Sequence, residues 1–186
     1  MAASLAVMSS QDFGQNLRVC RWGTLLSLFS ILFGFGMGGV FGAFEAPLKD
    51  GLSQRAEAVR DVVYAGDAAK VKSVVDKSWS YYKRAHMHAG GIGAAALGAI
   101  LLLATLRRPK VMLRRGVALA LGLGALGYPL FWMLAARMAP GLGSTHAAKE
   151  SLSWLAVPSA GLLLLGLMAV MVLMAIELFT PRQAPE

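Results

Sequence analysis

Four apolar stretches dominate the chain: Trp22 to Phe44, His88 to Leu106, Gly116 to Ala136 and Trp154 to Phe179, with Glu177 the one Asp, Glu, Lys or Arg side chain inside them. Crossing a hydrocarbon layer of roughly 30 Å takes about 20 helical residues. Lipid offers no water to the backbone, so a spanning segment must pair its own N–H and C=O groups, and helices are the natural reading. Composition agrees, since 56% of the 186 residues are hydrophobic and 15% are charged, with the charges gathered between the runs. The expected fold class is all-α: a polytopic integral membrane protein of four transmembrane helices in a glycine-rich bundle, forming one membrane domain over residues 1–186. No small-x-small pattern stands behind the first run, which is therefore read as a helix rather than a secretory leader.

Orientation follows from lysine and arginine in the short connections, which favour the cytoplasmic side. The turn "LRRPKVMLRRG" carries Arg107, Arg108, Lys110, Arg114 and Arg115 without an acid; Arg18 and Arg21 precede the first run and Arg182 follows the last. Both termini and this middle turn are thus expected in the cytoplasm, with a bacterial inner membrane as the location. The 45–87 segment holds eight basic and six acidic residues, the mixture of a solvated region. It is placed outside together with the 137–153 loop. The net charge of +8 then reflects topology and contact with anionic lipid, and no nucleic-acid motif is present. Cys20, the single cysteine, allows no intrachain disulfide, and its juxtamembrane place makes lipidation conceivable.

The outer segment is expected to be ordered. From about residue 67, Val71, Val74, Val75, Trp79 and Tyr82 recur at helical spacing after a Gly66-Asp67 turn and N-cap, and no proline interrupts the path to Leu106,. One long helix is predicted, amphipathic outside the bilayer and continuous with the second span. Pro47 with Lys49-Asp50-Gly51 is expected to end the first helix, and Gln54 to Tyr64 to form a short second one.

Small residues point to helix packing. Gly34, Gly38 and Gly42 stand four apart in "FGFGMGGVFG", and the second span answers with Gly90, Gly91, Gly93 and Gly98. Such faces let backbones approach closely where lipid supplies no hydrophobic drive for association.

"KRAHMHAGG" carries the residues that could hold chemistry. His86 and His88 lie two apart, hence about 200° around a helix, and should face different neighbours. His-x-His on a spanning helix resembles the haem-bearing helix of haem-copper oxidases, in which two such imidazoles serve different cofactors; the likeness covers three residues. Apart from that likeness, the gathering of imidazoles with arginine at the outer face makes haem b or a transition metal the candidate cofactor, with His86, His88, His146 and Arg84 as binding residues. Glu45 continues the Gly34, Gly38, Gly42 stripe by one turn and reaches the depth of His88, so Glu45, His86 and His88 form a candidate metal set, with Arg137 in the same layer. His146 would stand some 20 Å higher unless Pro158 bends the last helix or the 138–153 connection folds downward. The structural alternative is an interfacial polar ring within an aromatic belt of Trp79, Tyr81, Tyr82, Phe131, Trp132 and Trp154.

P-loop, CxxC, HExxH and serine-elbow signatures are absent,. Three functions stay open: an accessory or structural component of a membrane complex, with other membrane subunits or a second copy as partner; an electron-transfer subunit with an outer-face haem or metal; and a small oligomeric transporter. A non-enzyme role in a complex is the leading expectation.

Overall fold

The computed structural model describes residues 10–180; Arg182, counted above among the basic residues, lies outside them. Every described element is a helix: α1 (Ser10–Val19), α2 (Arg21–Glu57), α3 (Arg60–Val63), α4 (Ala68–Thr105), α5 (Val111–Leu142), α6 (Thr145–Ser151) and α7 (Ser153–Phe179). Among these, α2, α4, α5 and α7 are long and apolar enough to cross a membrane. The all-α class with four such helices is therefore established, and α4 carries the extended segment ahead of the second span.

That helix starts as the sequence requires. Asp67 is extended at the N-cap, and its carboxylate accepts from the backbone N–H groups of Ala69 at 2.9 Å and Lys70 at 3.0 Å, satisfying two donors that the first turn leaves open. At the other end, Leu106 is extended and stops the helix. The Asn16 amide of α1 donates to the Ala104 carbonyl at 3.0 Å, so α1 closes the last turn of α4.

Pro47 does not end the first helix. Helical structure continues to Glu57, with Phe44 (φ −134°, ψ 29°) as a non-helical break inside α2. A proline ring clashes with the backbone one turn before it and leaves a carbonyl without its N–H partner. The strain is released at Phe44, three residues upstream, so the chain bends and resumes. The expected 54–64 helix is correspondingly divided: its first residues complete α2, and α3 is a single turn. Pro158, by contrast, sits within α7 without a non-helical residue.

The centre of the bundle is α4 packed along α5, with α2 against both and α7 chiefly against α5. On α4 the buried stripe is Ala85, Ala89, Gly93, Ala96, Ile100 and Leu103, a spacing of three and four that keeps one face inward. On α2 it is Gly23, Ser27, Ser30, Gly34 and Met37. The opposite side of α2 leaves Trp22, Leu25, Phe29, Leu32 and Phe35 exposed, the surface a spanning helix gives to lipid.

Beyond the apolar runs, the ends of α2, α4 and α5 join α3 and α6 in a helical lobe with its own core of Leu52, Ala56, Tyr64, Val71, Val75, Trp79, Ala139 and Ala148. Tyr64 is its keystone: 1% exposed, it donates its hydroxyl to the Pro140 carbonyl at 2.6 Å. Burial pushes the Tyr64 phenol above its ordinary value. Because the neutral form is the one favoured in the fold, this contribution is complete below about pH 10 and is lost as pH rises through the raised value. Tyr64→Phe keeps the ring and deletes the bond, and should cost the lobe about 1 kcal/mol, read as a lower melting temperature of the detergent-solubilised protein.

Candidate functional site

The candidate residues sit where the lobe meets the four-helix region, and α4 divides them between two aromatic groups. On the side facing α2, Phe41 lies 5.1 Å from Trp79, 6.1 Å from Tyr82 and 6.0 Å from His86, centroid to centroid. Lys49 brings its ammonium 5.1 Å from the Trp79 ring. On the side facing α5, His88 stacks on Tyr128 at 5.4 Å with the planes 13° apart. Trp132 is the hub there, 4.8 Å from Tyr81 and 5.0 Å from Phe131, with the Arg84 guanidinium 4.4 Å from its ring. That distance is within cation–π range.

The division into His86 and His88 faces follows from the 200° offset. His86 turns to α2, where its Nδ1 lies 2.7 Å from the Gly34 carbonyl. A carbonyl can only accept, so Nδ1 carries the proton and the ring clasps α4 to α2. Gly38 makes room for it: a Cβ there would stand 2.8 Å from His86 Cε1. Gly34 matters similarly, since its Cβ would stand 2.7 Å from the Gly90 nitrogen.

The remaining candidates are dispersed. His146, on α6, is exposed and pairs with Glu150 at 3.6 Å. Glu45 is exposed and paired with Lys49 one turn on. In an unbroken helix Glu45 would share the Gly34 face, but the break at Phe44 resets the phase. Arg137 lines a different cleft, of about 410 Å³, with Arg55, Ala58, Met138, Gly141 and Leu142. Among the described residues no three His, Cys, Asp or Glu side chains gather as a metal-holding group. The two aromatic groups instead form a collar that orders the junction and fixes Arg84 beside Trp132.

Several residues expected to pack do not meet a neighbour. A Cβ on Gly42, Gly91 or Gly98 would find open space, and Gly90 meets Gly34 of α2 through its backbone nitrogen although its own Cβ direction is open. Intervals of exactly four advance a helix face by 40° per step, so Gly42 has turned about 80° from Gly34. The close approaches follow the 3.6 period, where Gly23 faces the Ala118 carbonyl and Gly93 faces Ile31.

Ser30 is the residue that sequence reading missed. Fully buried, its hydroxyl reaches both Ala89 O on α4 at 3.1 Å and Ala125 O on α5 at 2.8 Å, joining three helices by one polar group. The available signal was Gly23, Ser27, Ser30, Gly34, a small-residue stripe whose serines are easily overlooked beside glycines.

His86→Phe keeps an aromatic ring and removes the clasp. A loss of about 1 kcal/mol is expected, against less than about 0.5 kcal/mol for the exposed His146→Ala, both measured by thermal unfolding in detergent.

Comparison of the chain with family models, curated proteins and solved structures gives no match.

Proposed function

We propose that this membrane protein is an accessory component of a membrane complex, with the helical lobe as its docking end. The reading rests chiefly on one observation: α2, α4 and α5 do not stop at the end of their apolar runs but continue into a packed lobe with its own core. Lipid cannot stabilise that part, and a spanning bundle alone does not require it. A rigid protrusion held by three spans is suited to carrying a contact surface. Val62, 92% exposed on α3, stands at its surface where an apolar side chain has no lipid to meet. The dispersal of His86, His88, His146 and Glu45 favours this reading over electron transfer, since no pair of imidazoles faces a common centre.

By the lysine and arginine rule, the arginine-rich 107–115 turn is cytoplasmic and the lobe external, in a bacterial inner membrane. A membrane-impermeant maleimide should therefore label Val62→Cys in intact cells and leave Lys110→Cys unlabelled. The reverse pattern would invert the topology. For the complex, a photo-crosslinker at position 62 should capture one protein that also co-purifies at fixed ratio, and Val62→Glu should abolish both. Purification as a lone monodisperse species, with no crosslink from the lobe, would defeat the proposal.

A further inference from the structure

At the end of the bundle opposite the lobe, Arg18, Val19, Arg21, Trp22 and Arg115 line a cavity of about 260 Å³. Two parts of the chain build it. α1 and the start of α2 contribute four of these residues, and the first turns of α5 contribute Arg115. Their meeting is dictated by close packing below: a Cβ on Gly122 of α5 would stand 2.7 Å from the Gly23 carbonyl, so α2 and α5 run almost in backbone contact there. Arg21 and Arg115 are thereby held near each other despite like charge. Among the described residues no carboxylate forms an ion pair with Arg18, Arg21 or Arg115. The guanidinium of Arg21 lies 5.8 Å from the centre of the Trp22 ring. All three arginines and Trp22 are exposed.

We propose that this cavity binds the phosphodiester headgroup of an anionic glycerophospholipid. Three guanidinium groups around a small recess suit an oxyanion, to which arginine presents paired N–H donors. What distinguishes a lipid from free phosphate is the surface that continues from the cavity. On α2, Leu25 and Phe29 follow Trp22 and are 54% and 56% exposed; on α5, Leu119 lies one turn beyond Arg115 and is 38% exposed. An apolar track thus runs from the cationic recess into the depth of the spans, as acyl chains would. Trp22 marks the boundary, where an amphipathic ring belongs. The recess has room for a headgroup, and the track is open on its lipid side.

The test uses the full-length protein, delipidated in detergent and titrated with phosphatidylglycerol, phosphatidylcholine or inorganic phosphate under native mass spectrometry. One phosphatidylglycerol should be retained per chain, in clear preference to phosphatidylcholine. Arg18→Gln/Arg21→Gln/Arg115→Gln should weaken it about a hundredfold, taking roughly fivefold per cation at a membrane surface. Lys70→Gln/Lys72→Gln/Lys77→Gln removes the same charge from the lobe and should leave the affinity unchanged. If the triple variant does not fold, Arg115→Gln alone should lose about fivefold, and wild-type binding should weaken in roughly 1 M salt. Equal retention of phosphatidylcholine, undiminished binding by the arginine variants, or an equal effect of the lobe variant would overturn the proposal. So would displacement of the lipid by millimolar inorganic phosphate, which would make the recess a site for the free anion.

Discussion

Gly23→Leu is expected to be one of the two most damaging substitutions considered, costing about 3 kcal/mol or more of bundle stability. A Cβ at position 23 would overlap the Ala118 carbonyl of α5, which is backbone and cannot rotate aside. The two helices must separate, and separation propagates. Gly122 meets Gly23 from the other direction, and Ser30, two turns along α2, is fully buried with its hydroxyl 2.8 Å from Ala125 O. Leucine is also a better helix former than glycine, by up to about 1 kcal/mol, so a loss of stability would have to come from the interface. Gly42→Ala and Gly98→Ala, both directed at open space, should by contrast be neutral or slightly stabilising. Unfolding in mixed micelles would compare the three. Equal effects at positions 23 and 42 would show that the packing face had been misassigned.

Trp132→Ala should follow closely, at about 3–5 kcal/mol, the range for removing a large buried aromatic. Trp132 is 8% exposed and touches Tyr81, His88, Tyr128 and Phe131 at 4.8–6.4 Å. Its loss would also free Arg84 from the ring on which it lies. Truncating His88, half-buried and stacked only from one side, should cost much less. The order matters functionally. If His88 held an essential ligand, His88→Ala would abolish activity of the complex while leaving the fold intact, whereas Trp132→Ala would lower both together. Thermal unfolding followed by near-ultraviolet circular dichroism reports the loss of this aromatic group directly.

How much of this was legible beforehand depends on the length of chain over which a signal repeats. The four spans and the long α4 rest on tens of residues each, and Asp67 announces its own N-cap. His86 and His88 were correctly assigned to different neighbours, because their angular separation is fixed by helix geometry alone. Glu45 was misplaced for a physical reason: one residue, Phe44, leaves the helical region under the pressure of Pro47 and discards the phase on which the argument depended. Gly42, Gly91 and Gly98 face open space because small size permits close approach without requiring it, whereas Gly90 receives Gly34 against its backbone nitrogen. Which neighbour arrives is decided by all faces together, and alanines such as Ala85, Ala89 and Ala96 serve the same end without standing out. Ser30 escaped because the stripe Gly23, Ser27, Ser30, Gly34 marks a face of small residues without marking which hydroxyl reaches the neighbouring helices.

The lateral position of α7 has a consequence for how the molecule is made. Only Ser159, Gly166 and Val170 of that helix are buried, and it leans chiefly on α5. During synthesis, the Ser30 junction, the aromatic collar and the Tyr64 anchor are all encoded before residue 153 leaves the ribosome. The last span is also the last to emerge, and until it arrives the groove along Gly124 and Gly127, where Ser159 and Leu163 sit, has no cover.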